Sequence, residues 1–521
     1  MANTGDTWDQ ECDVLVAGSG GGALTGAYGA AARGLDTLVI EKTEYFGGTT
    51  AYSGAGLWLP GNQAQTRGGL DDSADLARAY FRAVVGDTTP HELQDAYLDH
   101  AAETVAFLED NPHPRFEYRP FPDYFAAPGR FDAGRAVFPV DLPAPEEPHA
   151  LLDAVRPPVW AQRLGLPVGE GPLTDGRALI GRLLLALEST GNGRTLLRTE
   201  LRGLITENGR VVGAEALHDG RTLRIRARRG VLLAAGGFEG NAALRRDWQG
   251  LHGADWTMGP RGANTGQALL AAVDAGAATG LLDESWWCPS LRFPDGTAAF
   301  TLGLHGGIFV DGAGRRFANE SLPYDRMGRR MREAKAGTTP DNPVWWIFDN
   351  RSGDELPGIT VVPADRKAFT EAGLWHTADT LDGLARAIGV DPQALGATVR
   401  TFNGYAADGV DTDFHRGEDP YDRFFARGEG PNPCLVPIGE GPFHAVQIVL
   451  GDLGTKGGVR IDARARVLRE DATPIPGLYA AGNTTASVAG PSYPGPGVPI
   501  GSAMVFGHMA AADLAARGTN G

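Results

Sequence analysis

A single tyrosine near the end of the chain, Tyr493, lies in a segment whose backbone is unusually restricted. The sequence PSYPGPGVPIG (491–501) alternates proline with glycine. Proline fixes φ, and glycine adopts conformations that other residues avoid, so the segment predicts a loop of fixed shape rather than a helix or strand. A phenol donates a hydrogen bond, and loops often carry functional groups, so Tyr493 is a candidate site residue.

The residue types that most often bind metals show no suitable spacing. The 11 histidines contain no H-E-x-x-H or H-x-H pattern, and Cys12, Cys288 and Cys434 are far apart in the sequence. We therefore predict no metal site and interpret the cysteines as small buried hydrophobic residues. Free thiols are consistent with a reducing, cytoplasmic environment.

The segment from Cys12 to Lys42 has the pattern of a strand–helix–strand unit that binds a dinucleotide. An apolar run is followed by G-x-G-x-x-A, a stretch of small residues, a second apolar run and an acid. The first glycine suits a tight turn, the second allows approach to a pyrophosphate, and the helix N-terminus attracts that anion. The acid would accept hydrogen bonds from ribose. The predicted contacts are Gly18, Gly20, Gly22, Ala23 and Glu41.

The segment after this acid favours FAD over NAD. It contains a second small, hydroxyl-rich loop of the kind that follows the diphosphate in flavoproteins, whereas an NAD domain usually continues with another βα unit. No second G-x-G-x-x-G occurs, so hydride donation by NAD(P)H is disfavoured. The predicted FAD contacts here are Lys42, Gly48, Thr49, Ser53 and Gly54.

Further along, the sequence predicts an α/β (α+β) fold with a Rossmann-like FAD-binding domain that is discontinuous in the chain. Asn208-Gly209 and Asp219-Gly220 are hairpin turn signals between β-rich runs. Rossmann character stops near residue 285 and returns near 453. We therefore predict an FAD-binding domain of residues 1–285 and 453–521, and an inserted, smaller α+β catalytic cap domain of residues 286–452.

Several later segments also contain candidate flavin contacts. The run PIGSAMVFG (499–507) predicts a C-terminal helix whose N-terminus faces the flavin, where reduced flavin is negatively charged. Similar loops often have an acidic residue where this chain has Gln267. A flavin contact from the Gln267 side chain is therefore less expected, whereas a contact from the rest of its loop is still expected. The predicted contacts are Leu201, Ala235, Gly236, Asn264, Gly482, Asn483 and Gly501.

Composition narrows the range of partners. The net charge of −17 disfavours nucleic acids and anionic membranes. The N-terminus lacks the basic and apolar regions of a signal peptide. No window approaches the ~20 apolar residues of a membrane span. We expect a cytoplasmic protein without a membrane span.

Taken together, the motifs resemble those of a known enzyme family. The order of VLVAGSGGGALTGA, GGTTAYSG, VLLAAGGFEGN, GGIFVDGAGRRFANES, TKGGVRID and GLYAAGN is similar to that of the fumarate reductase-like flavoproteins. Within that group the chain resembles the 3-ketosteroid Δ1-dehydrogenases along its length. The most specific matches are FPDY (121–124), NESLPYD (319–325), DLGTKGG (452–458) and YPGPGVPIG (493–501).

This resemblance implies a reaction and a role for each matched residue. Noncovalent FAD would accept hydride from C1 of a 3-ketosteroid, and an unidentified quinone-like or dye-like acceptor would reoxidise it. Tyr493 and the Gly497 N–H would bind the 3-keto oxygen, while Tyr324 would take the C2 proton. Tyr124 would donate to Tyr324, because a hydrogen bond to a phenolate lowers the phenol pKa from ~10. Phe121 and Phe300 are candidates to line the apolar steroid site, although core packing explains them nearly as well.

Four alternatives remain open at this stage. Tyr118 could replace Tyr124, and 3-ketosteroid Δ4-(5α)-dehydrogenation would use the same fold and cofactor. A fumarate-type reductase is disfavoured, because residues 483–507 contain no arginine or histidine to bind carboxylates. A non-catalytic flavin-binding protein would leave the three tyrosines unexplained. The sequence does not identify the preferred steroid or the oligomeric state.

Overall fold

A computed structural model describes residues 7–353 and 355–517 of the chain. The described residues separate into two compact units: residues 7–244, 259–285 and 454–517 form the first, and residues 245–258, 286–353 and 355–453 form the second.

The predicted domain boundaries were wrong for residues 245–258, which belong to the second unit. The Met258 N–H donates to the Asp452 carbonyl at 2.8 Å. Arg245 and Thr257 both donate to the Asp452 carboxylate, at 2.5 and 2.7 Å. These partners are about 200 residues apart in the sequence, so no local pattern predicts the association.

The structure assigns twenty strands and sixteen α-helices within the described residues. The strands are Gln10–Ala17 (β1), Thr37–Ile40 (β2), Leu57–Trp58 (β3), Phe116–Tyr118 (β4), Ala136–Pro139 (β5), Gly193–Leu196 (β6), Thr199–Glu207 (β7), Arg210–His218 (β8), Arg221–Leu233 (β9), Thr279–Gly280 (β10), Ser285–Arg292 (β11), Ala298–Leu302 (β12), Ile308–Val310 (β13), Val344–Asp349 (β14), Ile359–Thr360 (β15), Trp375–Ala378 (β16), Phe443–Thr455 (β17), Gly458–Val459 (β18), Arg466–Leu468 (β19) and Pro474–Ala480 (β20). The helices are Gly21–Ala31 (α1), Gln63–Arg67 (α2), Ala74–Val85 (α3), His91–Asp99 (α4), Ala101–Glu109 (α5), Ala150–Asp153 (α6), Val159–Leu164 (α7), Asp175–Ser189 (α8), Ala242–Gln249 (α9), Gln267–Asp274 (α10), Tyr324–Glu333 (α11), Arg366–Glu371 (α12), Leu381–Ala387 (α13), Pro392–Asp408 (α14), Pro420–Phe424 (α15) and Val498–Ala516 (α16).

The first unit is built on an eight-stranded sheet with the order β19-β20-β9-β1-β2-β6, extended by β7 and β8 from β9. Strands β20, β9, β1, β2 and β6 pair in parallel, and α1 connects β1 to β2. The predicted strand–helix–strand unit and Rossmann-like fold are therefore confirmed.

Both predicted hairpin turns are also confirmed, between β7 and β8 and between β8 and β9. Asn208 and Gly209 have φ of 51° and 79°, and Asp219 and Gly220 have φ of 45° and 84°. Positive φ at both central residues defines the type I′ turn, which Asn-Gly and Asp-Gly favour.

Helices α1 and α16 pack with their backbones close together. A Cβ added at Gly22 would lie 2.6 Å from the Ala503 carbonyl oxygen, and one at Gly29 would lie 2.9 Å from the Ala511 Cβ. The prediction that no window approaches a membrane span was wrong for α16: among the described residues, it is the one helix whose length and composition alone could cross a membrane. However, 61% of its most apolar window is buried inside the protein. Its apolar residues serve the contact with α1.

The second unit contains a seven-stranded sheet with the order β13-β14-β17-β11-β12-β15, and β16 pairs with β17. Helices α13 and α14 cover part of this sheet through a cluster that includes Leu384, Leu395, Phe402 and Ile308.

The three cysteines are free and buried, as the sequence predicted.

Candidate active site

The glycine turn after β1 leaves the N-terminus of α1 open. Gly18 has φ of 106°, and an added Cβ would overlap the Ala234 carbonyl, so only glycine fits this turn. Gly20 is the N-cap of α1 and provides no side-chain cap. The Gly21 N–H donates to Thr50 Oγ1 at 3.2 Å. The helix end therefore offers backbone N–H groups and a positive dipole to an anion.

The predicted ribose-binding acid, Glu41, is buried at the end of β2. Its carboxylate accepts from Ser19 Oγ at 2.6 Å and from the Thr43 N–H at 2.8 Å. Ser19 Oγ in turn accepts from the Gly47 N–H at 2.9 Å. Ser19 thus connects the acid to the glycine loop. Our sequence reasoning missed it, although a hydroxyl inside a glycine motif was a visible signal.

Asn264 lies at the centre of a polar cluster that brings together three distant segments of the first unit. Its side-chain amide donates to Thr49 Oγ1 at 2.9 Å and to Glu239 Oε1 at 2.7 Å. A Cβ added at Gly236 would lie 2.6 Å from Asn264 Oδ1. Thr455 Oγ1 also donates to Glu239, at 3.3 Å. Sequence reasoning missed Glu239 and Thr455; the signal for Glu239 was a lone acid after an apolar strand.

The remaining predicted FAD contacts lie in the same unit. Lys42 pairs with Glu200 at 3.0 Å and donates to Thr265 at 2.9 Å, next to the buried Leu201. No atom lies within 4 Å of a Cβ added at Gly48 or Gly54, so these glycines face open space. Ala23 is buried in α1, and Ser53 donates to the Thr50 carbonyl. Ala235 follows β9, and Gly501 is in the first turn of α16. Gly482 and Asn483 begin a short 3₁₀ helix.

The two groups predicted to bind a carbonyl oxygen, Tyr493 and Gly497, lie next to each other. The Gly497 N–H donates to the Tyr493 hydroxyl oxygen, and the two heavy atoms are 3.5 Å apart. Gly497 is the N-cap of α16 with φ of 91°, and an added Cβ would overlap the Gly56 carbonyl. The backbone N–H and the phenol hydroxyl are therefore adjacent, and Gly497 lies in a position that tolerates only glycine.

Tyr124 lies beside Tyr493. The two rings meet edge to face with centroids 5.2 Å apart, and Tyr124 is fully buried. The Phe121 ring is 6.4 Å from the Tyr124 ring. The hydroxyl of Tyr118, the alternative to Tyr124, donates to the Ala133 carbonyl at 3.2 Å. Tyr124 thus shares the neighbourhood of Tyr493, and its hydrogen bond to Tyr324 stays a prediction.

Tyr324 belongs to the second unit, where it is the first residue of α11. Its ring meets the Phe300 ring edge to face at 4.8 Å. It also lines a cavity together with Leu302, Leu304 and Met327. The lining of this cavity also includes the polar residues Glu320, Ser321 and Asp422. The phenol lies at a helix N-terminus, whose dipole favours negative charge.

Comparisons with known proteins agree with this arrangement. The family model for the FAD binding domain matches residues 13–500. A 3-oxosteroid 1-dehydrogenase from Rhodococcus opacus is 43% identical over 98% of this chain and 99% of its own length.

Two solved structures are also similar. The 3-ketosteroid Δ1-dehydrogenase from Sterolibacterium denitrificans, in complex with 1,4-androstadiene-3,17-dione, is 34% identical with a TM-score of 0.88, covering 97% of this chain and 100% of its own. The 3-ketosteroid-Δ4-(5α)-dehydrogenase from Rhodococcus jostii RHA1, in complex with 4-androstene-3,17-dione, is 25% identical with a TM-score of 0.65, covering 99% of each chain.

The glycine turn, the N-terminus of α1 and the polar cluster around Asn264, together with the match to the FAD binding domain, identify an FAD-dependent oxidoreductase. More narrowly, the chain belongs to the 3-oxosteroid 1-dehydrogenase family. The residues present suit FAD, because the turn at Gly18 admits no side chain. In addition, no atom lies within 4 Å of a Cβ added at Gly48 or Gly54, so both glycines leave open space.

Proposed function

We propose that this chain catalyses the FAD-dependent 1,2-dehydrogenation of 3-ketosteroids. The observation that carries the proposal is the adjacency of the Tyr493 hydroxyl and the Gly497 N–H, which donates to that hydroxyl across 3.5 Å. A ketone oxygen that enters here would accept from the N–H in place of the phenol oxygen and would also accept from the phenol. Two donors held at one point suit a ketone oxygen on which charge develops during reaction.

Three tyrosines have different roles in the removal of the C2 proton. Hydrogen bonds from Tyr493 and Gly497 to the 3-keto oxygen stabilise the negative charge that appears as the C2–H bond breaks. Tyr324 accepts this proton, and the N-terminus of α11 favours the negatively charged phenolate that the step requires. We assign to Tyr124 the role of a supporting donor, because a hydrogen bond to a phenolate lowers the pKa of the phenol.

Residues of the first unit would hold FAD. The N-terminus of α1 would bind the pyrophosphate, and Glu41 would accept from the ribose hydroxyls. When bound, FAD supplies the acceptor for the hydride that leaves C1. Loss of that hydride and of the C2 proton together leaves a 1,2 double bond, conjugated with the 3-ketone.

Anaerobic mixing of the purified protein with androst-4-ene-3,17-dione tests this proposal. We expect the flavin absorbance to bleach and the 1,4-diene to appear in an amount equal to the flavin reduced. Flavin that stays oxidised with this and other 3-ketosteroids would contradict the proposal. A dye-like acceptor then allows turnover to be measured in air-free solution.

A saturated steroid separates the Δ1 activity from the Δ4-(5α) alternative. A 5α-reduced 3-ketosteroid has hydrogens available at both C1–C2 and C4–C5. We expect the 1-ene product, because this chain is 43% identical to a 3-oxosteroid 1-dehydrogenase but only 25% identical to the Δ4-(5α)-dehydrogenase. A 4-ene product would favour the alternative reaction.

A further inference from the structure

One carbonyl oxygen, that of Pro494, connects the segments carrying two of the proposed active-site phenols. It accepts from the Tyr124 N–H at 2.9 Å and from the Tyr80 hydroxyl at 2.6 Å. Pro494 directly follows Tyr493, so both hydrogen bonds hold the backbone next to that phenol. None of the motifs that indicated the enzyme family includes Tyr80, which lies in α3.

The Tyr80 hydroxyl bridges the two segments. It donates to Pro494 and accepts from the Phe125 N–H at 3.1 Å, so a single oxygen holds the residue after Tyr493 and the residue after Tyr124. Tyr80 is itself fully buried. Burial raises the pKa of its phenol, which keeps the hydroxyl protonated and able to donate.

Lys456 holds the other side of Tyr493. Its ammonium donates to the Pro491 carbonyl at 2.8 Å and to the Ser492 carbonyl at 3.1 Å, the two residues directly before the phenol. It is one of only four lysines in the sequence, and its side chain is completely buried. It lies in the DLGTKGG motif, to which the proposed mechanism assigns no task.

We propose that Tyr80 and Lys456 form a backbone clamp that positions Tyr493 and Tyr124 for the reaction. The two residues hold the carbonyls before and after Tyr493, and Tyr80 also holds the segment of Tyr124. This inference rests on the proposed function and deepens it, because it names residues that act on the substrate only through the phenols. Misplacement of a catalytic group by about 1 Å can reduce a rate by about 10²-fold, so a clamp of this kind is consequential.

Two substitutions remove the clamping groups while keeping most of each side chain. Tyr80→Phe removes one hydroxyl, and Lys456→Met removes the ammonium. Tyr479→Phe is the matched control, because Tyr479 is also buried and its hydroxyl also donates a hydrogen bond, to Asp513 at 2.7 Å. Among the described hydrogen bonds, none joins Tyr479 or Asp513 to residues 491–494.

Hydrogen exchange of the holoenzyme without steroid measures the clamp independently of activity. In Tyr80→Phe we expect faster amide exchange both around residues 121–126 and around 490–498. In Lys456→Met we expect it only around 490–498. Exchange as slow as in the wild type in both variants would overturn the clamp, whatever the enzyme oxidises.

Kinetics then test the positioning role. We expect kcat with a 3-ketosteroid to fall about 10- to 100-fold in Tyr80→Phe, while KM and FAD content change little. Tyr479→Phe should keep the wild-type kcat even if its melting temperature falls equally. An unchanged kcat in Tyr80→Phe would overturn the positioning role, whereas an inactive wild type would instead contradict the proposed function. Each variant tests one side of the clamp, so misfolding of one leaves the other to decide.

Discussion

Tyr324 is the residue on which the proposed proton transfer depends most directly. Tyr324 is the first residue of α11, its ring packs against Phe300, and it lines a cavity that has both apolar and polar residues. We expect Tyr324→Phe to lower kcat by about 10²- to 10⁴-fold, the usual contribution of a general base. Steroid affinity and the yellow colour of bound FAD should stay close to those of the wild type, because the ring and its packing are retained.

Rapid-mixing measurements of flavin reduction, with a separate binding titration, check this expectation. Tyr405→Phe is a suitable control, because Tyr405 is a partly buried tyrosine of the same unit that packs on its core rather than beside Tyr324. A Tyr324→Phe enzyme that reduces its flavin at the wild-type rate would show that another group takes the proton.

A substitution at Gly497 tests the site for the 3-keto oxygen less directly than the sequence alone suggests. A side chain there would overlap the Gly56 carbonyl, and its φ of 91° strains any other residue. Substitution would therefore displace the backbone near β3 and would not report only on steroid binding. Tyr493→Phe removes a single donor instead and is the cleaner change.

At the scale of elements, the contact between α1 and α16 couples FAD binding to stability. We expect Gly22→Ala to lower the free energy of unfolding by about 1–3 kcal/mol, because its added Cβ would lie 2.6 Å from the Ala503 carbonyl oxygen. FAD should also dissociate more readily, since the displaced helix end is the one that would bind the pyrophosphate.

Thermal unfolding and the flavin retained after gel filtration measure both effects. Gly203→Ala provides the control, because no atom lies within 4 Å of the added Cβ and the residue is in strand β7. Equal stability and equal FAD retention in Gly22→Ala and Gly203→Ala would mean that the contact between α1 and α16 governs neither property.

At the scale of the whole molecule, we expect two buried histidines to lower the free energy of unfolding in mild acid. Burial lowers the pKa of His508 in the first unit and of His444 in the second to about 4. The usual pKa of about 6.5 applies in the unfolded chain. Between these values the unfolded chain binds a proton that the folded protein does not, so stability falls as pH decreases from 6.5 to 4.

For His508 this loss amounts to ~2 kcal/mol at pH 5 relative to pH 7. Nearby Glu103 partly offsets the burial, whereas Arg33 adds to it. We expect His508→Leu to reduce the difference in melting temperature between pH 7 and pH 5. A variant with the same pH dependence as the wild type would show that other groups govern acid stability.

The amount of structure that the sequence predicts varies from element to element. The β1–α1–β2 unit and both hairpin turns were predicted correctly, because their signals are local: glycines at fixed spacing, and Asn-Gly or Asp-Gly between β-rich runs. The placement of residues 245–258 was wrong, because it depends on hydrogen bonds to Asp452, about 200 positions away.

The sequence by itself determined the cofactor class, the enzyme family and the candidate phenols, since each rests on residue types at short, fixed spacings. Only the tertiary structure decided that the Gly497 N–H meets the Tyr493 hydroxyl, and that Tyr80 and Lys456 hold the backbone around that phenol. The Tyr80–Pro494 bond joins residues 414 positions apart. Such contacts arise from the packing of whole segments, so no local pattern of residues encodes them.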